Sequence, residues 1–345
     1  MKIFNILTLA LVTSMVSTSC HNGDNEFPDF DYQTVYFAKQ CVGRTVELGK
    51  EPQVDVTLDN QHKIAIKAVM GGVYANSQER LINVAVDESL CDDLYLTADY
   101  GGRKVMPLPA SYYSLSSGTI SIPSGQMDGG VIVDLKDEFF NDPLALDFNY
   151  VIPLVMESAY GVDSILQGKP AVENPLRVKA SDWSVQPKDY TLYFVRFVNP
   201  WHGNYMRRGT DILTVDGVTT EIVRKKDYVI NDELVSVATS GYKECVADLS
   251  TRTDADHMYR YSLKLTFDDQ GNCSVSSNNP DMTVTGSGQF ITDGEKNVIN
   301  GEPRDLLKLY YEITASGWSL KTEDYLVVRD RGVKPVYPTV EIKTI

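Results

Sequence analysis

The residues best suited to chemistry in this sequence are aromatic, and they suggest the binding of sugar rings. Residues 200–205 read PWHGNY and follow a predicted strand, which places Trp201, His202 and Tyr205 in a loop. Trp318 lies in a turn before a later strand. Aromatic faces offer a large, rigid surface for stacking, and Tyr and Trp add a polar group. We predict Trp201, His202, Tyr205 and Trp318 as ligand-binding residues; packing inside the fold is the alternative for the tryptophans.

Patterns typical of enzymes do not occur in the sequence. The four histidines are scattered without the spacing of a zinc site, and no Gly-x-Ser-x-Gly elbow or phosphate-binding glycine loop is present. Carboxylate pairs such as Asp92-Asp93 are frequent among 47 acidic residues, so chance neighbours cannot identify a glycosidase pair. We therefore predict no enzyme activity, no catalytic residue, no metal ligand and no cofactor.

The charge balance excludes some partners. The chain has 345 residues, with 32 Lys and Arg against 47 Asp and Glu, and a formal net charge of −15. Nucleic-acid binding needs a basic surface for the phosphates, so we expect no nucleic-acid partner. Short basic clusters at residues 207–208, 224–226 and 329–331 are interpreted as solvated strand ends.

The amino terminus has the order of a secretory signal. A lysine at position 2, an apolar run over residues 3–16 and a small-residue stretch precede Cys20. This order resembles a bacterial lipoprotein signal in its relaxed Bacteroidetes form, with a plain secretory signal as the alternative. The resemblance implies cleavage after residue 19, lipidation of Cys20 and a flexible tether over residues 20–31. Acidic Asp24 and Glu26 resemble a signal for display outside the outer membrane.

The rest of the chain alternates apolar and polar residues with the period of β-strands, which predicts an all-β protein. Residues 32–161 predict an antiparallel β-sandwich of the Ig-like kind. Short helices are predicted near residues 87–93 and 138–144. The predicted strands are Thr34 to Lys39, Gln53 to Leu58, Lys63 to Val69, Leu81 to Val86, Gly118 to Ile122, Gly130 to Leu135 and Asn149 to Met156.

Glycines and prolines collect in residues 162–188, which we predict to be a linker. Alternation returns over residues 189–345 and predicts a second domain of eight or more strands joined by hairpins. That pattern favours a lipocalin-like antiparallel β-barrel over a second sandwich. The predicted strands include Tyr190–Val198, Ile212–Val215, Thr219–Arg224, Leu234–Thr239, Glu244–Leu249, Met258–Phe267, Asn272–Val275, Gly286–Ile291, Leu306–Thr314 and Tyr325–Val328.

Four cysteines follow Cys20, two in each predicted domain. An exported protein can form disulfides, so Cys41 with Cys91 and Cys245 with Cys273 is one hypothesis. Buried free thiols are the other, and the sequence leaves both open.

Several segments together resemble uncharacterised Bacteroidetes lipoproteins associated with glycan-uptake systems. The resemblance implies a surface protein that binds a polysaccharide or oligosaccharide without cleaving it, beside an outer-membrane transporter. A structural or adhesion subunit of the fimbrial type is the alternative, and a glycoside hydrolase is the third hypothesis. The segments that carry the resemblance are residues 93–97, 107–113, 120–125, 150–154, 189–193, 197–205, 286–290 and 327–332.

Overall fold

The structure, a computed structural model, describes residues 32–51, 54–253, 257–299 and 301–343. The predicted signal, the lipidation site Cys20 and the tether lie outside these residues. The described chain is all-β, as predicted, with a sandwich-like N-terminal sheet and a closed C-terminal barrel. None of the helices in the described ranges has the length and apolar character that a bilayer span requires.

The N-terminal domain is built on one strongly bent sheet of eleven strands. Their order is β11-β1-β3-β9-β8-β4-β10-β14-β2, with β6 added beside β10 and β7 beside β9. Pairing is antiparallel except for β1 with β11, β10 with β6 and β14 with β2. Three further strands of this part of the chain, β5, β12 and β13, lie in separate two-stranded pairings. The strands in chain order are β1 (Thr34–Tyr36), β2 (Cys41–Glu47), β3 (Lys63–Gly71), β4 (Arg80–Val86), β5 (Leu94–Leu96), β6 (Met106–Pro107), β7 (Tyr113–Leu115), β8 (Thr119–Ile122), β9 (Asp128–Leu135), β10 (Tyr150–Tyr160), β11 (Ser164–Ile165), β12 (Lys169–Pro170), β13 (Trp183–Val185) and β14 (Tyr190–Val198).

The buried residues of the N-terminal core follow the predicted alternation of apolar and polar residues along the strands. On β3, Ile64, Ile66 and Ala68 are buried while the residues between them are more exposed. On the neighbouring β9, Val131 and Val133 face the same core. Burying one branched side chain contributes about 1.5–3 kcal/mol, so these paired rows fix the register of the two strands.

The expected strand at Gln53 to Leu58 is wrong where the structure describes it. Residues 57–60 form a short helix, α1 (Thr57–Asn60). The reason is Asp59, which is 1% exposed. Its carboxylate accepts a hydrogen bond from the backbone N–H of Glu47 at 2.9 Å and forms an ion pair with Arg44. A buried carboxylate needs such partners, and a turn of helix directs it at β2. The helix α2 (Asp137–Asn141) falls in the second stretch predicted as helical.

The change of sheet does not coincide with the predicted start of the second domain at residue 189. The strand β14 pairs with β10 and β2 of the N-terminal sheet, and the carboxyl-terminal β24 (Val340–Ile342) pairs with β5. Both strands are apolar, and alternation alone does not reveal which sheet a strand joins. Short strands β11, β12 and β13 also occupy the expected linker.

The C-terminal barrel is closed by the pairing of β15 with β23. Eight strands form the barrel in the order β15-β17-β18-β19-β20-β21-β22-β23, and β16 extends beside β15. The hairpin-linked barrel is therefore the observed form of the two that the sequence allowed. The strands are β15 (Gly203–Val215), β16 (Val218–Arg224), β17 (Glu233–Gly241), β18 (Glu244–Arg252), β19 (Met258–Phe267), β20 (Asn272–Ser276), β21 (Met282–Ile299), β22 (Glu302–Ala315) and β23 (Trp318–Asp330).

The four cysteines within the described ranges are free thiols. Cys245 and Cys273 lie on β18 and β20, on opposite sides of β19, and burial raises the pKa of each thiol to about 12. Cys41 and Cys91 pack in the same N-terminal core cluster without a bond. The disulfide hypothesis is therefore not supported, and the thiols act as small apolar side chains.

Arg331 joins the barrel to the N-terminal domain. Its guanidinium is 5% exposed, and its Nη2 donates to the carbonyls of Leu48 at 3.0 Å and Asn199 at 2.7 Å. Asn199 in turn donates from its side chain to the carbonyls of Gly241 at 3.1 Å and Glu244 at 2.8 Å. These bonds connect the ends of β2, β14 and the β17–β18 hairpin, because each carbonyl would otherwise be buried without a donor.

We expect Arg331→Met to lower the free energy of unfolding by roughly 2–4 kcal/mol, since it removes charge-assisted bonds and leaves buried carbonyls unpaired. The matched control is Arg329→Met, which changes an arginine with a 47% exposed side chain two residues away. Urea denaturation followed by circular dichroism measures both. Equal midpoints for the two variants would contradict the role of Arg331.

Candidate functional site

The barrel wall has a gap on one side. The strand β15 pairs with β17 over Gly203–Arg207 and with β16 over Gly209–Val215. The pairing of β17 with β18 covers only Val237–Gly241 of β17, so the last residues of β18 have only β19 beside them among the described residues. Backbone bonds are therefore missing between β16 and the end of β18. Side chains must satisfy the polar groups there.

Arg207 lies in this gap and is fully buried. Its Nε donates to both carboxylate oxygens of Asp324 at 3.1 Å, and its Nη1 donates to the backbone carbonyl of Ser250 at 2.9 Å. Its Nη2 donates to the hydroxyl of Tyr261 at 2.8 Å. The arginine thus provides the donor that a neighbouring strand would otherwise give to β18.

Arg224 enters the same cluster from β16. Its Nε and Nη2 donate to the two oxygens of Asp211 at 2.9 and 2.7 Å, and Nη2 also donates to Asp324 at 2.6 Å. The second terminal nitrogen, Nη1, is buried and has no hydrogen-bond partner within the described part of the chain. An unsatisfied buried donor costs about 1–3 kcal/mol, so this nitrogen leaves one hydrogen bond of the cluster unmade.

Two tyrosines complete the cluster. Tyr311 donates its hydroxyl hydrogen to Asp324 at 2.7 Å, and its oxygen lies 2.9 Å from that of Tyr261. Burial raises the pKa of Tyr261 to about 12, so this phenol is neutral at physiological pH. The tyrosines therefore supply hydrogen bonds to the buried ions without adding charge.

The buried ions stay charged. Burial acts to lower the pKa of Arg207, but the carboxylate of Asp324 and the neighbouring phenols raise it well above its ordinary value. Burial acts to raise the pKa of Asp211, and the hydrogen bonds and charge of Arg224 more than offset this, so the pKa is lowered. The cluster is a fixed arrangement of ion pairs rather than a proton-transfer site.

Gly209 lets β15 and β23 approach each other beside these ions. A Cβ atom at this position would lie 2.0 Å from the backbone oxygen of Glu323 and 3.0 Å from the carboxylate of Asp324. Any side chain here would push the two strands apart and separate Arg207 from Asp324.

A cleft of about 490 Å³ leads from solvent to the cluster through the gap. Arg207 and Arg224 form its floor. Its lining contains five cationic side chains and two carboxylates, although the whole chain is strongly acidic. The charged lining residues are Arg207, Arg224, Lys225, Lys226, Arg252, Asp232 and Glu233.

Three of the residues predicted from sequence to bind ligand lie just before β15 or on it, and Tyr205 is two residues from Arg207 on the same face of that strand. Trp201 is 8% exposed and stacks on Phe267 with ring centroids 4.0 Å apart. Tyr205 is fully buried and donates its hydroxyl to the carbonyl of Trp201 at 2.6 Å. His202 accepts the backbone N–H of Thr239 through Nδ1 at 3.1 Å. Their aromatic faces contact protein, so the packing alternative describes Trp201 and Tyr205.

Trp318, the fourth predicted residue, lies near the ion cluster. It pairs with Val215 at the far end of β15, 14 residues beyond Trp201 along the chain. Its ring is half-buried, 5.4 Å from that of Tyr259 and 6.5 Å from that of Tyr261. Because Tyr261 bonds Arg207, Trp318 is one side chain away from the cluster.

Sequence reasoning missed the arginines themselves. The basic clusters that contain Arg207 and Arg224 are predicted to be solvated strand ends, but Arg207 is fully buried and the side chain of Arg224 is only 13% exposed. The sequence signal for Arg207 is its position in the alternation of β15. Arg207 and Asp211 are separated by even numbers of residues from Tyr205 and Leu213, which are buried on the same face of the strand. Within the described ranges, no cluster of His, Cys, Asp or Glu has the arrangement of a metal site.

The fold and the site define a class of protein: a two-domain β-protein whose C-terminal barrel opens through a polar gap in its wall. A family model described as a domain of unknown function (DUF5627) matches residues 200–332, and a model described as an N-terminal domain matches residues 30–163. No curated protein matches the chain.

A solved Bacteroides ovatus structure of unknown function is 46% identical, covers 91% of this chain and 100% of its own, and has a TM-score of 0.86. The chain belongs to the same family as that protein. A second Bacteroides ovatus structure of unknown function is 14% identical over 88% of this chain and 97% of its own, with a TM-score of 0.41. A third from that organism, described as a proposed carbohydrate-binding protein, is 17% identical over 70% and 66% of the two chains with a TM-score of 0.26. The two distant likenesses support no conclusion about function.

We expect Asp324→Asn to destabilise the barrel by about 3–5 kcal/mol, because two buried arginines then share a neutral partner. The control is Glu312→Gln on the adjacent β22. The side chain of Glu312 is 60% exposed, so its ion pair with Lys321 contributes little to stability. Chemical denaturation of the three proteins measures the difference. Similar losses in both variants would show that the buried cluster is not important for stability.

The buried imidazole of His202 should make the stability of the protein depend on pH. Burial lowers its pKa to about 4, from an ordinary 6.5, so the unfolded chain takes up this proton first as the pH falls. The free energy of unfolding should therefore decrease between pH 6.5 and pH 4, by up to about 3 kcal/mol for this residue. His202→Asn, which keeps an acceptor for Thr239, should flatten that slope. The exposed control His257→Asn should retain it, and an unchanged slope in His202→Asn would contradict the assignment.

Proposed function

We propose that the protein is a non-catalytic carbohydrate-binding protein of the cell surface, and that the gap in the barrel wall is its binding site. The observation that carries this proposal is Arg224, a lining residue of a solvent-open cleft, whose Nη1 is buried and has no partner among the described residues. A ligand oxygen would complete its hydrogen bonding. Such convergent polar groups in a concave site are typical of ligand-binding pockets.

The surroundings of the gap suit a saccharide. Arginine nitrogens, the half-exposed carboxylate of Glu233 and lysine ammonium groups can bond to sugar hydroxyls. Outside the lining of the cleft, the half-buried Trp318 and Tyr259 offer aromatic surface, and the ring of Trp318 lies 6.5 Å from that of Tyr261. An aromatic face beside charged hydrogen-bonding groups matches the apolar face and hydroxyl rim of a sugar ring.

The carboxylates in the cluster argue for binding without hydrolysis. A glycosidase needs one carboxylic acid whose pKa is raised, so that it can protonate the leaving group. Asp211 has a lowered pKa and shares both oxygens with Arg224, and Asp324 is held by two arginines. Both acids are therefore engaged in ion pairs, and the lowered pKa of Asp211 keeps that carboxylate ionised.

The setting of the proposal comes from the sequence. Lipidation at Cys20, with a short tether, would hold the two domains at the outer membrane with the barrel accessible to glycans outside the cell. An outer-membrane transporter is the expected partner for passing on the bound saccharide.

An adhesion or structural subunit is the second candidate, and one observation favours it. The edge strand β16, the loop after it and the start of β17 expose Val218, Val223, Tyr228 and Leu234, each at least 50% accessible. Exposed apolar side chains in one region are typical of protein interfaces. Self-association that requires these residues, without saccharide binding, would favour this role.

We expect Trp318→Ala to weaken the binding of any saccharide ligand by about 5–30-fold, because stacking and area burial on one aromatic ring contribute about 1–2 kcal/mol. The probes are neutral and acidic oligosaccharides of three or more units, measured by isothermal titration calorimetry. Trp183→Ala is the control, since Trp183 lies in the N-terminal domain and donates to the Leu176 carbonyl.

Two results would contradict the proposal. One is no heat of binding with any member of the panel; the other is a ligand whose affinity is the same in wild-type and Trp318→Ala protein. Release of shorter products during the titration would favour the hydrolase instead.

A further inference from the structure

We infer that the gap in the barrel wall selects a saccharide that carries negative charge, as a carboxylate or a sulfate ester. This inference rests on the proposed function and adds the chemical class of the ligand. It comes from how the charges of the cleft are paired.

The carboxylates of the cleft already have cationic partners. Asp232 is 7% exposed and pairs with Arg208 at 2.5 Å, while Glu233 pairs with Arg207 at 3.3 Å. Asp211, beneath the cleft, is held by Arg224. These acids therefore present little unpaired negative charge to a ligand.

The cations at the entrance are in a different situation. Lys225, Lys226 and Arg252 are exposed lining residues, and none has a carboxylate within ion-pairing distance among the described residues. The backbone N–H of Lys226 donates to Asp232 at 2.9 Å, which fixes the strand end on which both lysines lie. Three cations without a carboxylate partner in the described part of the chain thus line the same cleft as Arg224.

Arg224 is built to receive an anion at the floor of the cleft. Three of its donor directions are used by Asp211 and Asp324, which hold the guanidinium in place, and Nη1 remains open. A carboxylate or sulfate oxygen would form a charge-assisted bond there, roughly twice as strong as a bond to a neutral hydroxyl. A neutral sugar could make only the weaker bond.

The acidic character of the whole chain sharpens the inference. A chain with a formal charge of −15 repels anions at long range, so anion binding requires a local cationic site. Such a site also makes the affinity depend on salt, because surface attraction is screened over about 10 Å at 0.1 M ionic strength.

The test compares three trisaccharide probes by isothermal titration calorimetry at 50 and 300 mM NaCl: oligogalacturonate, its neutral galactose counterpart and a sulfated galactose counterpart. We expect at least one anionic probe to bind ten-fold or more tightly than the neutral probe at 50 mM NaCl. The preference should fall several-fold at 300 mM NaCl. The carboxylate and sulfate arms identify which anionic group the protein uses.

The matched variants change equal charge at different places. The combination Lys225→Gln, Lys226→Gln and Arg252→Gln removes the entrance cations, all of which are exposed and so can be changed without disturbing the core. The control combination Lys243→Gln, Lys321→Gln and Arg329→Gln removes three exposed cations elsewhere on the barrel. We expect a loss of anionic affinity of ten-fold or more in the first and less than two-fold in the second.

The outcomes separate this inference from the proposed function. If the neutral probe binds as tightly as the anionic ones and depends on Trp318, the inference is overturned while saccharide binding stands. Equal losses in the two charge variants would also overturn it, because the effect would then come from net charge alone. If none of the probes binds, the proposed function fails together with the inference.

Discussion

The buried ion cluster of Arg207, Asp324, Arg224 and Asp211 is the constraint on which the barrel depends. Moving charges out of water costs several kcal/mol per ion, and their attraction compensates only when the geometry is good and the remaining donors are bonded. Here the carboxylates face both arginines, and Tyr311 and Ser250 take part of the remaining bonding capacity. The side chains that close the gap between β16 and β18 are therefore the same ones that form the floor of the cleft.

Stability and the proposed ligand binding would therefore compete at one place. A continuous ladder across the gap would satisfy the backbone without arginines, and would leave no opening. In this barrel Arg207 instead donates to the carbonyl of Ser250, where the backbone of a neighbouring strand would otherwise donate. Nη1 of Arg224 has no partner among the described residues, at an energetic cost that a bound ligand would relieve. Gly209 is part of the same solution, since only the absence of a side chain allows β15 to lie close to β23 there.

Much of the fold could be predicted from local pattern, because hairpin-linked strands carry their signal in the alternation of their own residues. The limits of β19 at Met258–Phe267 and of β14 at Tyr190–Val198 were found this way. The sheet that β14 joins could not be predicted, since pairing with β2 depends on contacts about 150 residues away. The same applies to Trp201: a loop position suggested a binding surface, but stacking on Phe267 is a tertiary contact. Arg207 was within reach, because its phase on β15 matches the buried residues.

The most direct test of the account is a crystal structure of the protein with the tightest-binding oligosaccharide of the calorimetric panel. The account predicts that the saccharide lies in the gap between β16 and β18, with an oxygen about 3 Å from Nη1 of Arg224 and with the ion pairs of Arg207 and Asp324 unchanged. A saccharide bound elsewhere on the molecule, with Arg224 still unpaired, would contradict it.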